Sequence, residues 1–205
     1  MRRGKFITID GLEGAGKSTQ IDFIKKYLSA RNRDVFLTRE PGGTDLGERL
    51  RVLLLDKNID AMNSDTELLL MFAARNEHVK KVIVPKLEQG VWVISDRFTD
   101  ASYAYQGGGR GIPLERIGEL EQWTLQDFVP DMTFLLDLDV ELGLSRVEQR
   151  GEKDRFEEEH RDFFNKVREI FSNRASKYPE RIKLIDASKN IDETSSQIKK
   201  ILDLL

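Results

Sequence analysis

Gly11-Leu12-Glu13-Gly14-Ala15-Gly16-Lys17-Ser18 places glycines, a lysine and a hydroxyl in the order G-x-x-x-x-G-K-[ST]. That order suits phosphate chemistry. Glycines let the backbone wrap tightly and aim its N–H groups inward at phosphate oxygens. Lys17 is then placed to reach the β- and γ-phosphates, and the Ser18 hydroxyl to ligate Mg²⁺. The match follows an apolar run, Phe6 to Ile9, and opens an amphipathic pattern, so a helix N-terminus adds its positive end. Gly11 to Thr19 is therefore the expected ATP cradle. A GTPase switch would share such a loop, but no N-K-x-D guanine-reading motif accompanies it; Asn165-Lys166-Val167-Arg168 lacks the aspartate.

Charged residues mark a second site. Asp10 ends the first expected strand. Arg39 ends the second and runs into the turn Glu40-Pro41-Gly42-Gly43, with Asp45 and Glu48 spaced to cap the next helix. Asp96-Arg97 ends the third. In open parallel sheets ligands bind beyond the carboxyl ends of strands, so these side chains belong on the phosphate side. An ordinary surface pair for Arg39 or a helix cap for Asp96 would need no ligand, yet the coincidence beside the cradle favours one. Met71, Phe72 and Arg75 share a helical face, and an aromatic with an arginine can stack on a base and bond its edge. The stretch Ser102-Tyr103-Ala104-Tyr105-Gln106-Gly107-Gly108-Gly109-Arg110-Gly111 reads as a flexible loop with polar groups for a base.

Arg146, Arg150, Lys153 and Arg155 cluster around Gly151 among glutamates. A solvated helical face is the ordinary meaning of such a run. Here ATP and a monophosphate would bring about six negative charges, more than one lysine and one Mg²⁺ can balance in a dry site. A lid over about residues 146–160, carrying arginines, would supply the remainder and exclude water. No general base is needed, because the second pKa of a phosphate monoester is about 6.

The elements that must hold these groups alternate along the chain. Strands are expected at Lys5–Asp10, Val35–Arg39, Val91–Asp96, Met132–Leu138 and Arg181–Asp186. Helices are expected at Lys17–Leu28, Leu68–Val84 (with Ser64 and Glu67 as a capping box and Pro85 kinking or ending it), Leu114–Phe128, Val140–Gln149, Phe156–Tyr178 and Ile191–Leu204. Such alternation predicts an α/β fold of the P-loop NTPase type: three layers, a five-stranded parallel sheet flanked by helices, and a small lid, all in one domain over residues 1–205.

Composition sets outer limits. The 205 residues carry a net charge of −3, which argues against a non-specific nucleic-acid binder. With no cysteine, disulfides and thiolate chemistry are excluded, and His78 and His160 have no ligand-spaced partners. No apolar stretch approaches the roughly 20 residues of a membrane span, which fits a cytoplasmic location.

Together these residues resemble the thymidylate (dTMP) kinases over essentially the whole chain. The resemblance rests on the P-loop, Thr38-Arg39-Glu40-Pro41-Gly42-Gly43, Asp96-Arg97-Phe98, Tyr105-Gln106-Gly107 and the segment from Arg150 to Arg155. It implies transfer of the γ-phosphoryl of Mg·ATP to dTMP to give dTDP, a step in making dTTP. Another nucleoside monophosphate as acceptor is the neighbouring reading, and a nucleotide-binding switch the one from outside the class. By the resemblance Arg39 and Arg97 hold the dTMP phosphate, Asp10 lies near that phosphate and the metal, and Asp96 lies near Mg²⁺. Arg75, Ser102 and Gln106 read thymine, while Tyr105 packs under the sugar and disfavours a 2′-hydroxyl. The bacterial subtype with a basic lid is the one implied, Arg150 supplying the catalytic charge that another subtype carries at the position of Gly14. Lys17, Arg97, Arg150 and Asp10 are then the catalytic set. Members commonly place the thymine-stacking aromatic four residues before the base-reading arginine; here that position is Met71 and the aromatic is Phe72, so either could cover the ring. The family also implies a homodimer formed through helices, the one bearing Arg75 among them.

Overall fold

A computed structural model describes residues 3–59, 62–150 and 154–205, with the backbone alone described for Arg150. Five parallel strands form one sheet: β1 (Phe6–Gly11), β2 (Val35–Arg39), β3 (Trp92–Asp96), β4 (Met132–Asp137) and β5 (Ile182–Asp186), in the order β2-β3-β1-β4-β5. Every residue of β1 is buried, as its near-continuous apolar run requires of a central strand covered on both faces. Its register sets Ile9 beside Asp96, and β2 sets Arg39 beside the same Asp96. Neighbouring β2, β3 and β1 thus bring Arg39, Asp96 and Asp10 together at the carboxyl end of the sheet, where ligands of open parallel sheets bind.

Helices cover both faces: α1 (Lys17–Ser29), α2 (Asp45–Leu55), α3 (Ser64–His78), α4 (Val84–Glu88), α5 (Thr99–Ser102), α6 (Leu114–Leu125), α7 (Val140–Arg150), α8 (Arg161–Lys177) and α9 (Ile191–Leu202). Two caps differ from expectation. Thr44, not Asp45, caps α2 by accepting from Gly47 N at 2.9 Å, and Glu48 instead accepts from Gly43 N. Asn63, not Ser64, caps α3, accepting from Asp65 N, which frees Glu67 for a buried network. Pro85 does not end its helix abruptly. A π-helical turn, Val79–Ile83, links α3 to α4 and puts Pro85 at the start of α4, where its missing N–H costs nothing. The expected helix from Phe156 begins only at Arg161, because the Asp154 carboxylate accepts from Phe156 N and Glu157 N and closes a turn.

The largest correction concerns the glycine-rich stretch, expected to be a flexible loop. It is helical: α5 continues as a π-helical segment, Tyr103–Gly109, buried through Gly107. The glycines serve close packing. A Cβ on Gly108 would lie 2.7 Å from the Lys166 carbonyl of α8, and one on Gly109 would run into the Phe163 ring. Because the obstacle at Gly108 is backbone, Gly108→Ala is expected to destabilise the protein by about 1–3 kcal/mol, the usual cost of overpacking. A lower urea midpoint at unchanged slope would measure it.

Asp100, 1% exposed, ties the same segment to the sheet. It accepts from Arg174 Nε and Arg181 Nη1, both at 2.6 Å, and burial acting alone would raise its pKa, but these arginines hold it below the ordinary carboxylate value. That charge, fixed behind β1, reappears in the electrostatics of Asp10.

Candidate active site

The cradle forms where β1 turns into α1. Gly14 (φ 74°) and Gly16 (φ 83°) take left-handed conformations, which glycine adopts without strain, and the α1 N-terminus opens beyond them. Lys17 folds back over the loop, its Nζ donating to Gly11 O at 3.2 Å and Leu12 O at 2.9 Å. Burial lowers its pKa, and Arg97 lowers it further. Ser18 faces the main cavity; Thr19 instead lines a shallow groove between α1 and α9. From α7, Arg146 lines the same cavity, and its Nη1 donates to Gly14 O (3.1 Å) and to Ala187 O (3.3 Å), bracing the loop.

A cavity of about 500 Å³ runs from this cradle toward α3. Arg39, Arg97 and Arg75 from the predicted set line it, as do Asp96, Ser102, Tyr105, Gln106 and Met71. Phe72 does not. It is 2% exposed in a cluster with Leu68, Tyr103, Ile112 and Ile117, and its ring backs the Arg75 guanidinium with 4.8 Å between them. Of the two residues between which the sequence left the choice, the helix thus aims Met71 at the cavity and Phe72 at the core. Arg150 and Lys153 of the expected lid lie outside the described residues as far as their side chains are concerned. Arg155 points away from the cradle: Nε donates to Leu54 O and Nη2 to Glu67 (2.7 Å).

At the cradle end, Arg97 sits at φ 71°, unusual for a non-glycine residue, and such strain concentrates at functional sites. Its Nη1 donates to Gly11 O at 3.1 Å, and its Nη2 to Glu13 Oε1 at 2.7 Å and Tyr105 Oη at 3.1 Å. Tyr105 in turn donates to Glu13, and its ring meets Phe156 edge-on at 6.0 Å. The guanidinium is therefore fixed beside the loop before any substrate arrives. Arg39, half exposed, pairs with Glu48 at 2.8 Å.

Asp10 is fully buried, and neither carboxylate oxygen has a hydrogen-bond partner among the described residues; Asp96 Oδ1 is likewise unpartnered. Burial, reinforced by Asp100, pushes the Asp10 pKa up to about 7. Unpartnered carboxylate oxygens are what a hard divalent cation takes as ligands, directly or through its waters, and Asp96 shares the cavity lining with Ser18. The donor set therefore fits Mg²⁺.

At the far end, Arg75 is almost buried and held by three acceptors: Glu40 Oε2 (2.6 Å), Ser102 Oγ (2.9 Å) and Phe98 O (3.1 Å). His78 lies between Thr38 (2.6 Å) and Glu40 (3.0 Å), a structural role. No cluster of histidine and carboxylate ligands occurs among the described residues.

Two contributors escaped the sequence reading. Arg51 lines the cavity from α2, donates to Pro41 O at 2.9 Å, and has its pKa lowered by burial and then by Arg39. Its place one turn after Glu48 on a capped helix was the available signal. Glu40, read as part of a turn and of the motif carrying the resemblance but given no role of its own, is the buried carboxylate that orients Arg75.

A phosphate-loop turn at the carboxyl end of the central strand of a parallel sheet, opening into a cation-lined pocket that ends in polar side chains, defines a P-loop phosphotransferase with an anionic acceptor. The comparisons narrow this. The family model described as Thymidylate kinase matches residues 9–198. The thymidylate kinase of Ruthia magnifica subsp. Calyptogena magnifica is 63% identical over 205 residues, covering 100% of both chains. That of Nitrosospira multiformis is 50% identical over 198 residues, 97% of this chain and 96% of its own. The crystal structure of thymidylate kinase from Ehrlichia chaffeensis superposes with a TM-score of 0.80 at 36% identity, covering 98% of this chain and 99% of that one. The chain belongs to the thymidylate kinase family.

Proposed function

We propose that the cavity transfers the γ-phosphoryl group of ATP to dTMP, giving ADP and dTDP. The observation that carries this reading is the continuity of one cavity from the Lys17 cradle to Arg75, Ser102 and Gln106. Lys17 and the loop N–H groups hold the ATP phosphates. Arg97, Arg39 and Arg51 surround the acceptor phosphate, whose oxygens are already anionic nucleophiles at neutral pH. Positioning and charge neutralisation then supply the catalysis. Arg97 contributes most, because Gly11, Glu13 and Tyr105 fix it beforehand. Ser18, Asp96 and Asp10 would hold Mg²⁺, which would supply charge neutralisation for the phosphates.

Arg75 donates toward the base, Ser102 supports it, Gln106 meets the adjoining edge, and Met71 covers the ring. Tyr105, pinned by Glu13, packs under the sugar where a 2′-hydroxyl would crowd it. Arg150, whose side chain lies outside the described residues, would be the cation that a lid over about residues 146–160 supplies, as the family resemblance implies. Exposed apolar side chains on neighbouring helices, Val52 and Leu53 on α2 and Leu69 on α3, support a homodimer through this face, which sedimentation would detect. No helix among the described residues is long and apolar enough to cross a membrane, and we take the enzyme to work in the cytoplasm on free nucleotides.

An acceptor panel tests the assignment: ADP release from Mg·ATP with dTMP, dUMP, UMP, dCMP, dGMP or nothing. Strong turnover with dTMP, weaker with dUMP and weaker still with UMP is expected. Preference for another monophosphate would overturn the base assignment.

A further inference from the structure

Glu67 on α3 is fully buried, does not line the cavity, and yet accepts from three side chains. Gln106 Nε2 donates to it at 2.7 Å, Arg155 Nη2 at 2.7 Å and Arg110 Nε at 3.2 Å. We propose that Glu67 is a positioning residue that fixes which end of the Gln106 carboxamide faces the acceptor base, so that the pocket reads a pyrimidine carrying N3–H and rejects one with a bare N3. The inference rests on the assignment of the cavity to a thymine nucleotide.

A carboxylate held between two guanidinium groups accepts hydrogen bonds and cannot donate them. Its partner on Gln106 must therefore be the NH₂ group, which turns Oε1 the other way. Gln106 is 1% exposed, so that orientation is set by the interior, and its Oε1 bonds to no described residue. Arg75, lining the same cavity, has only donors to give, and its three internal bonds leave further N–H groups for a ligand.

A donor beside an acceptor complements the O4 and N3–H of thymine or uracil. It opposes cytosine, which presents an N4 amino donor and a bare N3 acceptor at the same positions. The two ends of a carboxamide are nearly the same shape, so without a fixed acceptor behind it Gln106 could rotate and offer NH₂ to N3. Glu67 removes that freedom, while Arg110 and Arg155 balance its charge in the dry interior. The 5-methyl group is not read by this pair, so dUMP follows dTMP.

The test is kcat/KM for dTMP, dUMP and dCMP with the full chain and with Glu67→Gln, whose amide can donate to Gln106 Oε1 and permit the rotation. The expected result is a fall of about tenfold or more for dTMP and dUMP together, with the dCMP-to-dTMP ratio rising by about tenfold or more, in line with the weight of a mismatched buried hydrogen bond. In a Gln106→Leu background, Glu67→Gln is expected to leave that ratio unchanged, because the effect passes through Gln106. An equal loss for dTMP and dCMP, or a ratio change that persists in the Gln106→Leu background, would overturn the proposal. Unaltered protein that phosphorylates dCMP as readily as dTMP would overturn the reading of the cavity itself, and the inference with it. If Glu67→Gln does not fold, the side-chain NH₂ protons of Gln106, assigned by their loss in Gln106→Leu, decide the matter by NMR. With dTMP bound they should exchange slowly; rapid exchange would contradict the proposal.

Discussion

Arg97→Ala is expected to lower kcat/KM for dTMP by about 10³-fold or more while ATP still binds. Arg97 follows the end of β3 at a left-handed φ of 71°. A left-handed φ is costly for any side chain, and the surrounding bonds to Gly11, Glu13 and Tyr105 maintain it. A cation held this firmly loses little freedom when charge develops on the transferring group, which is where preorganised electrostatics acts most strongly. Its removal also leaves the Glu13 carboxylate without its cation, though still accepting from Tyr105, adding repulsion of the phosphates to lost attraction. Arg97→Lys should recover only part of the rate, since an ammonium keeps the charge but not the forked donor geometry that spans Gly11 and Glu13. Nucleotide titration separates binding from transfer. A variant with unchanged kcat/KM for dTMP would refute the assignment.

Asp10→Asn is expected to do two things in opposite directions: to cut kcat by about 10²-fold or more, and to stabilise the ligand-free, metal-free protein above neutral pH. Burial and Asp100 raise Asp10 from 3.8 to about 7 in the folded state. Between those values the folded protein holds a proton that the unfolded chain has lost, so this group's contribution to stability is full below about pH 4, declines as pH rises, and is gone above about pH 7. At pH 8 the native protein carries a buried carboxylate whose oxygens lack partners among the described residues. Replacing it with a neutral amide should restore about 2–3 kcal/mol, and several degrees in Tm, at pH 8. The difference should shrink toward pH 5. A destabilised variant at pH 8, or a stabilisation independent of pH, would contradict this account of Asp10. Saturating Mg²⁺ and nucleotide should narrow the gap from the other side, because a cation favours the ionised carboxylate.

The sheet and cradle were legible because their signals are local. Apolar runs such as Phe6 to Ile9 mark strands covered on both faces, and Gly11 to Ser18 encodes its turn through its own glycines. Asp10, Arg39 and Asp96-Arg97 were legible for a related reason: strand ends can be read from strands, and parallel order brings those ends together. What escaped depended on contacts between distant residues. Ser102 to Gly111 has the composition of a mobile loop, and only the approach of α8 explains why its glycines build a buried π-helical segment. Ser64 and Glu67 had the spacing of a capping box, but Asn63 took the cap and the buried side of α3 took Glu67. Arg155 sat in a charge run that suggested phosphates, and Glu67 claimed it. The choice between Met71 and Phe72 turns on the rotation of α3 by about 100° per residue, which depends on how that helix packs against its neighbours.

The most direct measurement of the central claim follows the label from [γ-³²P]ATP after incubation with Mg²⁺ and dTMP in large excess over the enzyme. The label is expected to accumulate in dTDP, at the phosphate not attached to the sugar, over many turnovers and in step with ADP. Label released mainly as inorganic phosphate, or no transfer beyond a single turnover, would contradict it.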